Sequence, residues 1–396
     1  MTAGATAPLL LMTPGPTRVP ERVLRAGARP MIHHRTREFS AELATLIELI
    51  KPVFGTASAV LPVHTTGRGA LEAAICNLFS PGDELIVCCN GKFGEMWAGF
   101  AESYGITVHR VCTDWLRAID VLDVARALEK YPRARGVALT FSDTSTGVHN
   151  DVATIARTVH MVRADALVMV DGVSSIGGMP FAFDKWGVDF AATASQKCLM
   201  SSPGLSFAAL SERAWDAVNH AKLPRNYWDF TAIRSEVSKE SPETPGTPPV
   251  DIVLQVAEAL RLMHEEGLDR VYQRHAQMAE RTRRGAVELG LALQCPALGA
   301  YASTLTAIDA PAGISPKELR NGMRLRGVLT AGGLGPYKET AFRIGHMGDI
   351  RLADVERTLA ASLIGLIAAL GAQLGSGLDQ ATRDALTTQF EQHGTA

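Results

Sequence analysis

The sequence predicts an α/β fold in two parts: a large domain on a mostly parallel, doubly wound sheet, then a smaller C-terminal α/β domain. Three observations carry this. Between residues 60 and 210, short apolar runs alternate with segments of helical periodicity, the pattern of strands covered by crossover helices. Beyond Gly290 a second, shorter strand–helix–strand pattern follows. The 396 residues also exceed what a single core commonly serves. The expected division is an N-terminal arm over 1–20, a large domain over 21–266 and a small domain over 267–396.

Composition sets the class of partner. Hydrophobic residues make up 46% and charged residues 20%, with a formal net charge of −2, so neither nucleic acid nor an anionic membrane is an expected partner. None of the six cysteines forms a CxxC pair or stands at metal-ligand spacing, so no metal is expected. Most lie in apolar runs and read as buried thiols of a reducing cytoplasm. The start MTAGATAPLLLMTPGP lacks the basic stretch of a secretory leader. The apolar segment 359–374 is broken by Ser362, Gly365, Gly371 and Gln373 and reads as a packed helix, not a span.

Taken in order, Thr13-Pro14-Gly15-Pro16 and Pro20 exclude helix and central strand, leaving an extended arm that leads into a helix at Glu21. Residues 31–39 form a polar loop dense in His and Arg, equally a solvated loop or an anion-attracting rim around His33, His34 and Arg35. Ser40 is the expected cap of a helix through about Val53. A strand over 59–63 then meets Thr65-Thr66-Gly67-Arg68 and a helix with Leu71, Ala74, Ile75 and Leu78 on one face. Strand, hydroxyl residues and helix N-terminus together make a phosphate cradle, because the first helical amides are free and the dipole favours an anion. No GKS or GKT follows, so this is not a nucleotide P-loop. Glu84–Cys89 is a buried strand ending at Asn90-Gly91, and Phe93 opens the next helix, either as core or as a ring facing a ligand. A strand over 137–141 ends in the hydroxyl-rich loop Ser142-Asp143-Thr144-Ser145-Thr146-Gly147.

The chain is organised around residues 167–203. The apolar run Leu167–Asp171 closes on a carboxylate, and Phe190–Ala194 is followed by Ser195-Gln196-Lys197, with Lys197 26 positions after Asp171. In open α/β sheets ligands sit beyond the carboxyl ends of strands, where both residues would fall. Alone, Lys197 reads as a solvated surface group and Asp171 as a helix cap. Together with the cradle they fit pyridoxal phosphate: an amine for its aldehyde, an acid for its ring nitrogen and an anchor for its phosphate.

Residues 224–249, with five prolines, are too long for a plain connection and read as functional or interfacial. Helices over Val250–Glu266 and 268–289 follow. The small domain adds a strand over 304–308, a helix over 316–326, a strand over 328–331, a flexible loop at Gly332-Gly333-Leu334-Gly335 and a strand over 341–346 presenting Arg343.

The ordered motifs TPGPT, His34-Arg35, TTGRGALEA, Asn90-Gly91 with Phe93-Gly94, Thr144-Ser145-Thr146-Gly147, VDGVSS, Ser195-Gln196-Lys197, Pro203-Gly204 and Phe342-Arg343-Ile344-Gly345 give the chain its resemblance. From Thr13 to about Gly371 it resembles the class V, fold-type I pyridoxal-phosphate enzymes of the alanine/serine/aspartate–glyoxylate aminotransferase group. The resemblance implies a homodimer with active sites at the interface. It implies Lys197 as Schiff-base lysine and proton carrier, with Asp171 on the ring nitrogen. It puts Thr66, Gly67 and Arg68 on the phosphate, Phe93 in the place of a stacking aromatic, and Thr144 and Gln196 beside the ring. Arg343 would grip the substrate carboxylate, with Gly15 and His34 beside the substrate, and Thr247 would reach the partner's cofactor phosphate. Animal members carry Tyr three positions before that threonine, where Thr244 stands here. The implied reaction is a ping-pong transfer of an amino group from serine, alanine or aspartate to glyoxylate. Alternatives are a ureidoglycine or phosphonate transaminase, a desulfurase using Cys295, a decarboxylase or epimerase, or a non-catalytic cofactor-binding protein.

Overall fold

The computed structural model describes residues 8–295 and 301–373. Seven strands make the main sheet, in the order Val60–Val63, Ser206–Leu210, Phe190–Ala194, Leu167–Asp171, Ala134–Thr140, Glu84–Cys89 and Thr107–Cys112. Ser206–Leu210 runs antiparallel to both neighbours, and the remaining pairs are parallel. The two central strands Leu167–Asp171 and Phe190–Ala194 are buried along their whole length, which is why their sequences are continuous apolar runs and not alternating ones. Their register sets Asp171 opposite Ala192, so the chain leaving Phe190–Ala194 carries Lys197 out at the edge where Asp171 ends its strand.

A second core gathers Phe342, Ile344, Leu319, Met323, Val355 and Leu359. Its antiparallel sheet has the order Ala292–Leu293, Leu305–Asp309, Ala341–Gly345, Ala331–Gly332. The N-terminal arm belongs partly to this body. Leu10–Leu11 pairs in parallel with Val328–Leu329, and Leu10 and Met12 are buried in the second core.

Several elements differ from the sequence reading. The helix expected to start at Ser40 spans Arg37–Phe54, because Thr36 and not Ser40 is its cap, accepting a hydrogen bond from Phe39 N at 3.3 Å. The strand expected over 328–331 is two: Val328–Leu329 pairs with the arm, and Ala331–Gly332 turns to pair with Phe342 and Arg343. The proline-rich stretch contains a helix, Phe230–Val237, capped by Asp229. Thr107–Cys112 escapes the sequence reading because it is an exposed edge strand, alternating and charged rather than continuously apolar. Leu374, the expected end of the last helix, lies outside the described residues; the helix is described over Leu352–Gln373. No described helix is long and apolar enough to cross a membrane.

Candidate active site

At the carboxyl edge of the main sheet lies a cavity of about 280 Å³. Gly15, Thr66, Gly67, Arg68, Phe93, Thr144, Asp171, Gln196 and Lys197, all singled out in the sequence, line it together. Pro16, Leu71, Met96, Val173, Ser174 and Pro203 line it as well and were not singled out. The signals were adjacency and helical spacing: Val173 and Ser174 follow Asp171 in one motif, and Leu71 and Met96 lie one turn beyond Gly67 and Phe93.

Lys197 is held by the N-terminal arm. Its Nζ donates to Pro14 O, its carbonyl accepts from Thr17 Oγ1 at 3.0 Å, and Thr17 N donates to Gln196 O at 3.1 Å. Gly15 has φ +118°, and a Cβ there would lie 2.7 Å from Cδ, Cε and Nζ of Lys197. On the arm's other side a Cβ at Gly345 would come within 2.3 Å of Thr13 O. The TPGP motif is therefore a strap pressed between the lysine and the strand Ala341–Gly345, and a side chain at either glycine would force it apart.

Thr66 is the N-cap of the helix Gly67–Leu78, yet its side chain makes no cap hydrogen bond, which leaves its hydroxyl and the first helical amides for an anion. Asp171 Oδ1 accepts from Val173 N at 2.9 Å. Thr144 Oγ1 and Ser174 Oγ share a hydrogen bond at the cavity wall. The Gln196 amide oxygen is buried without a hydrogen-bond partner among the described residues. Beneath the wall Asp143, fully buried, accepts from Phe93 N at 3.0 Å and Ser145 N at 2.9 Å, fixing the helix start that carries the Phe93 ring.

Burial dominates the electrostatics. It lifts the Asp171 carboxyl to about 6, with Asp143 adding to the rise and the Val173 amide and Lys197 opposing it. It lowers the Lys197 ammonium to about 8, where Asp171 pulls the other way and Arg343 reinforces the fall. Arg343, lowered to about 10 by burial, is not in the cavity wall. Its Nε donates to Gly332 O and its Nη1 to Thr144 O, each at 2.8 Å, so it stands behind a wall residue with the rest of its guanidinium N–H groups uncommitted.

Two other residues from the sequence reading lie elsewhere. The His34 ring lies 4.5 Å from that of His33, tilted by 32°, outside the cavity lining, and its pKa is lowered by partial desolvation and then by His33 and Arg35. Thr247 lines a separate cavity of about 270 Å³ with His64, Asn226 and Tyr227. Thr244, in the place of the family's tyrosine, is buried and donates to Gly246 O at 2.7 Å. Cys295 is buried, with its Sγ toward Leu116 O, which does not suit the mobile thiol of a desulfurase.

An amine, a carboxylate, a hydroxyl pair and a helix N-terminus around one aromatic-walled cavity are the donor set that pyridoxal phosphate requires. The family model of class-V aminotransferases matches residues 10–296. The chain belongs to the class-V aminotransferases. It is 37% identical to a protein named soluble hydrogenase, small subunit, of Synechococcus sp., over 91% of this chain and 94% of that one. It is 34% identical to an L-aspartate–glyoxylate aminotransferase of Paracoccus denitrificans, over 93% of this chain and 94% of the relative. Among solved structures, an alanine–glyoxylate aminotransferase of Nostoc sp. superposes with a TM-score of 0.87 at 28% identity, covering 92% of this chain and 97% of that one. As a class-V aminotransferase of fold type I, the protein is a pyridoxal-phosphate enzyme acting on amino and oxo acids.

Proposed function

We propose that this aminotransferase moves the amino group of a small amino acid, serine, alanine or aspartate, to glyoxylate in a ping-pong cycle. The observation that carries the reading is the convergence of Lys197 and Asp171 on one cavity whose wall residue Thr144 is bonded to Arg343. Pyridoxal phosphate, when bound, supplies the carbonyl that takes the amino group and the ring that draws off the electron pair left at the substrate Cα.

The chain's own residues do the rest. Thr66 and the amides of Gly67 and Arg68 would hold the phosphate, and Phe93, on the same cavity wall, would face the ring. Asp171 holds the proton on the ring nitrogen. Its carboxyl, raised to about 6 by burial, has its charged form disfavoured relative to water and gains from a cation placed beside it. Lys197 Nζ, lowered to about 8, spends an appreciable fraction of time uncharged at neutral pH, so it could take the proton from the substrate Cα and give it back two bonds away, across the amino nitrogen. Arg343 turns its uncommitted N–H groups to the substrate carboxylate, which every donor and glyoxylate share.

Residues 1–20, 21–266 and 267–396 act as arm, large domain and small domain, and two copies pair so that Thr247 reaches the cofactor phosphate of the partner. Thr247 lines a cavity other than that of Lys197, which supports a role toward the partner's site. The name of the Synechococcus relative does not open a second reading. The Lys197 cavity offers an amine, a carboxylate, hydroxyls and a helix N-terminus, the set for pyridoxal phosphate.

The test uses the purified holoprotein. Addition of alanine, serine or aspartate alone should shift the visible band of the cofactor, and glyoxylate should restore it with stoichiometric glycine. No shift with any donor refutes the transaminase reading. A shift that only another oxo acid reverses refutes glyoxylate as acceptor.

A further inference from the structure

Cys89 and Cys112 end neighbouring parallel strands and face each other in register. Paired residues of adjacent strands project to the same face of a sheet. On that face lies the helix Lys92–Ser103, whose first turn carries Glu95. One ligand atom from each of Cys89, Glu95 and Cys112 lies within 4.8 Å of the others, and Cys112 Sγ is 3.9 Å from Glu95 Oε1. None of the three lines the Lys197 cavity.

We propose that Cys89, Glu95 and Cys112 form a binding site for one thiophilic divalent cation of the Zn²⁺ class, with a fourth position open to water. A tetrahedral ion with metal–sulfur bonds near 2.3 Å and metal–oxygen bonds near 2.0 Å holds its ligand atoms roughly 3.5–3.8 Å apart, so the three groups need to close by only about 1 Å or less. Cys89 is buried, Glu95 half-buried and Cys112 exposed, so the site is anchored on one side and reached from solvent on the other. Three ligands and one open position is the arrangement of zinc sites that exchange a ligand, not of closed structural ones.

Charge favours the ion. Two thiolates and one carboxylate carry three negative charges. Arg110 already sits on Glu95, Nε to Oε2 at 3.1 Å, with its other nitrogens on Glu102. With Glu102, which Arg110 also binds, the two thiolates, Glu95 and Arg110 carry three net negative charges, and a divalent cation would offset two of them. Cysteine binds a metal as the thiolate, so binding would exchange two protons for one ion. A core packing role accounts for Cys89, whose Sγ is 3.6 Å from Val87 O. Strand register places Cys112 beside it and Arg110 holds Glu95 nearby, and the result is three ligand atoms on one spot. Glu95 is two residues beyond Phe93 on the same helix, so an ion here would fix the first turn that carries the ring facing the cavity.

The test is equilibrium dialysis of the holoprotein against Zn²⁺, with Cd²⁺ as an optical probe through its ultraviolet thiolate band. One ion per chain is expected, with release of two protons and affinity rising steeply with pH. Cys112→Ser, at an exposed position, should weaken uptake at least tenfold and remove the Cd²⁺ band, and Glu95→Gln should weaken uptake severalfold. Cys89→Ser, checked by a thermal melt, should do the same as Cys112→Ser. Uptake equal to wild type in Cys112→Ser overturns the site, as does a wild-type protein that binds no ion above background. None of the three positions belongs to the transamination machinery, so basal turnover without added metal should survive in all the variants, and failure of the proposed transaminase reaction would leave the metal measurement unaffected.

Discussion

Replacing Asp171 by Asn separates charge from shape at the centre of the site. Burial raises the carboxyl from 3.8 to about 6, a handicap on the charged form of about 3 kcal/mol. The proposed function has the cofactor's protonated ring nitrogen offset that handicap. Asn keeps the side chain's size, and its Oδ1 can still accept from Val173 N, the hydrogen bond that holds the native Oδ1 at 2.9 Å. What it loses is the negative charge that keeps the ring proton in place. A loss of about 3 kcal/mol of transition-state stabilisation corresponds to roughly two decades in rate, so kcat should fall about 100-fold or more with every donor. Folding should respond in the opposite sense. A group whose folded pKa is raised weakens the fold above its unfolded value, and the neutral amide removes that cost, so the cofactor-free variant should melt no lower than wild type at pH 7. The decisive assay is single-turnover decay of the visible band with alanine beside a thermal melt of both proteins. A kcat within threefold of wild type would refute the reasoning and leave Asp171 as a cap at the end of a strand.

Lys197→Ala should abolish transamination, with turnover measured with alanine and glyoxylate, while far-ultraviolet dichroism stays unchanged; near-normal turnover would remove the lysine from the mechanism. Arg343→Lys should lower kcat/KM by about one to two decades, equally for two donors and for glyoxylate, because an ammonium cannot reproduce a planar fork worth roughly 1.5–3 kcal/mol; a donor-dependent loss, or a lower melting temperature alone, would make Arg343 only the tie between Gly332 and Thr144. His275 and His346 are held neutral by burial at about 4 and about 3, and His275 Nε2 must stay an acceptor for Gly348 N at 3.0 Å. Their folded pKa values lie below the unfolded value, so stability is full above about pH 6.5 and falls as the pH drops toward 4, by on the order of 1.4 kcal/mol for each pKa unit per residue. Denaturation midpoints at pH 7 and pH 5 check this, and His275→Gln should flatten the dependence; equal midpoints would refute it.

The sequence made legible what depends on short-range pattern. Strands buried on both faces, such as Leu167–Asp171, are continuous apolar runs, and the residues that follow them are cavity residues because of where the strands end. What it hid depends on packing between distant segments. Nothing local in Val328–Leu329 separates it from Ala331–Gly332; the break exists because Leu10–Leu11 arrives to pair with the first piece. Thr36 wins the cap from Ser40 because the chain turns earlier, with Thr36 Oγ1 also donating to His33 O at 2.9 Å. Ser174 and Val173 reach the cavity through the turn after Asp171, which a motif names but does not aim. Arg343 was legible as a strand residue, yet its hold on Thr144, 199 positions away, is a contact between the two cores that no spacing encodes.

The opposite drifts of Asp171 and Lys197 follow from one cause. A carboxyl raised to about 6 and an ammonium lowered to about 8 are both pushed toward neutrality by the same desolvation, although their mutual attraction works against it. Were the site only a structural ion pair, excellent contact and saturated hydrogen bonding would be needed to offset burying both charges. Here Asp171 takes a single amide hydrogen bond and Lys197 bonds the Pro14 carbonyl in place of the carboxylate. The two groups therefore share a cavity without satisfying one another. Such an arrangement is a poor way to stabilise a fold. It is a good way to keep an acid and an amine available to a third body that carries a basic nitrogen at one point and an aldehyde at another. The strap of Thr13–Thr17 adds the final constraint, because it closes on Lys197 from the strand Ala341–Gly345 that also bears Arg343. Lys197 and Arg343 are thus positioned by one continuous set of contacts, and a shift of that strand would move both together.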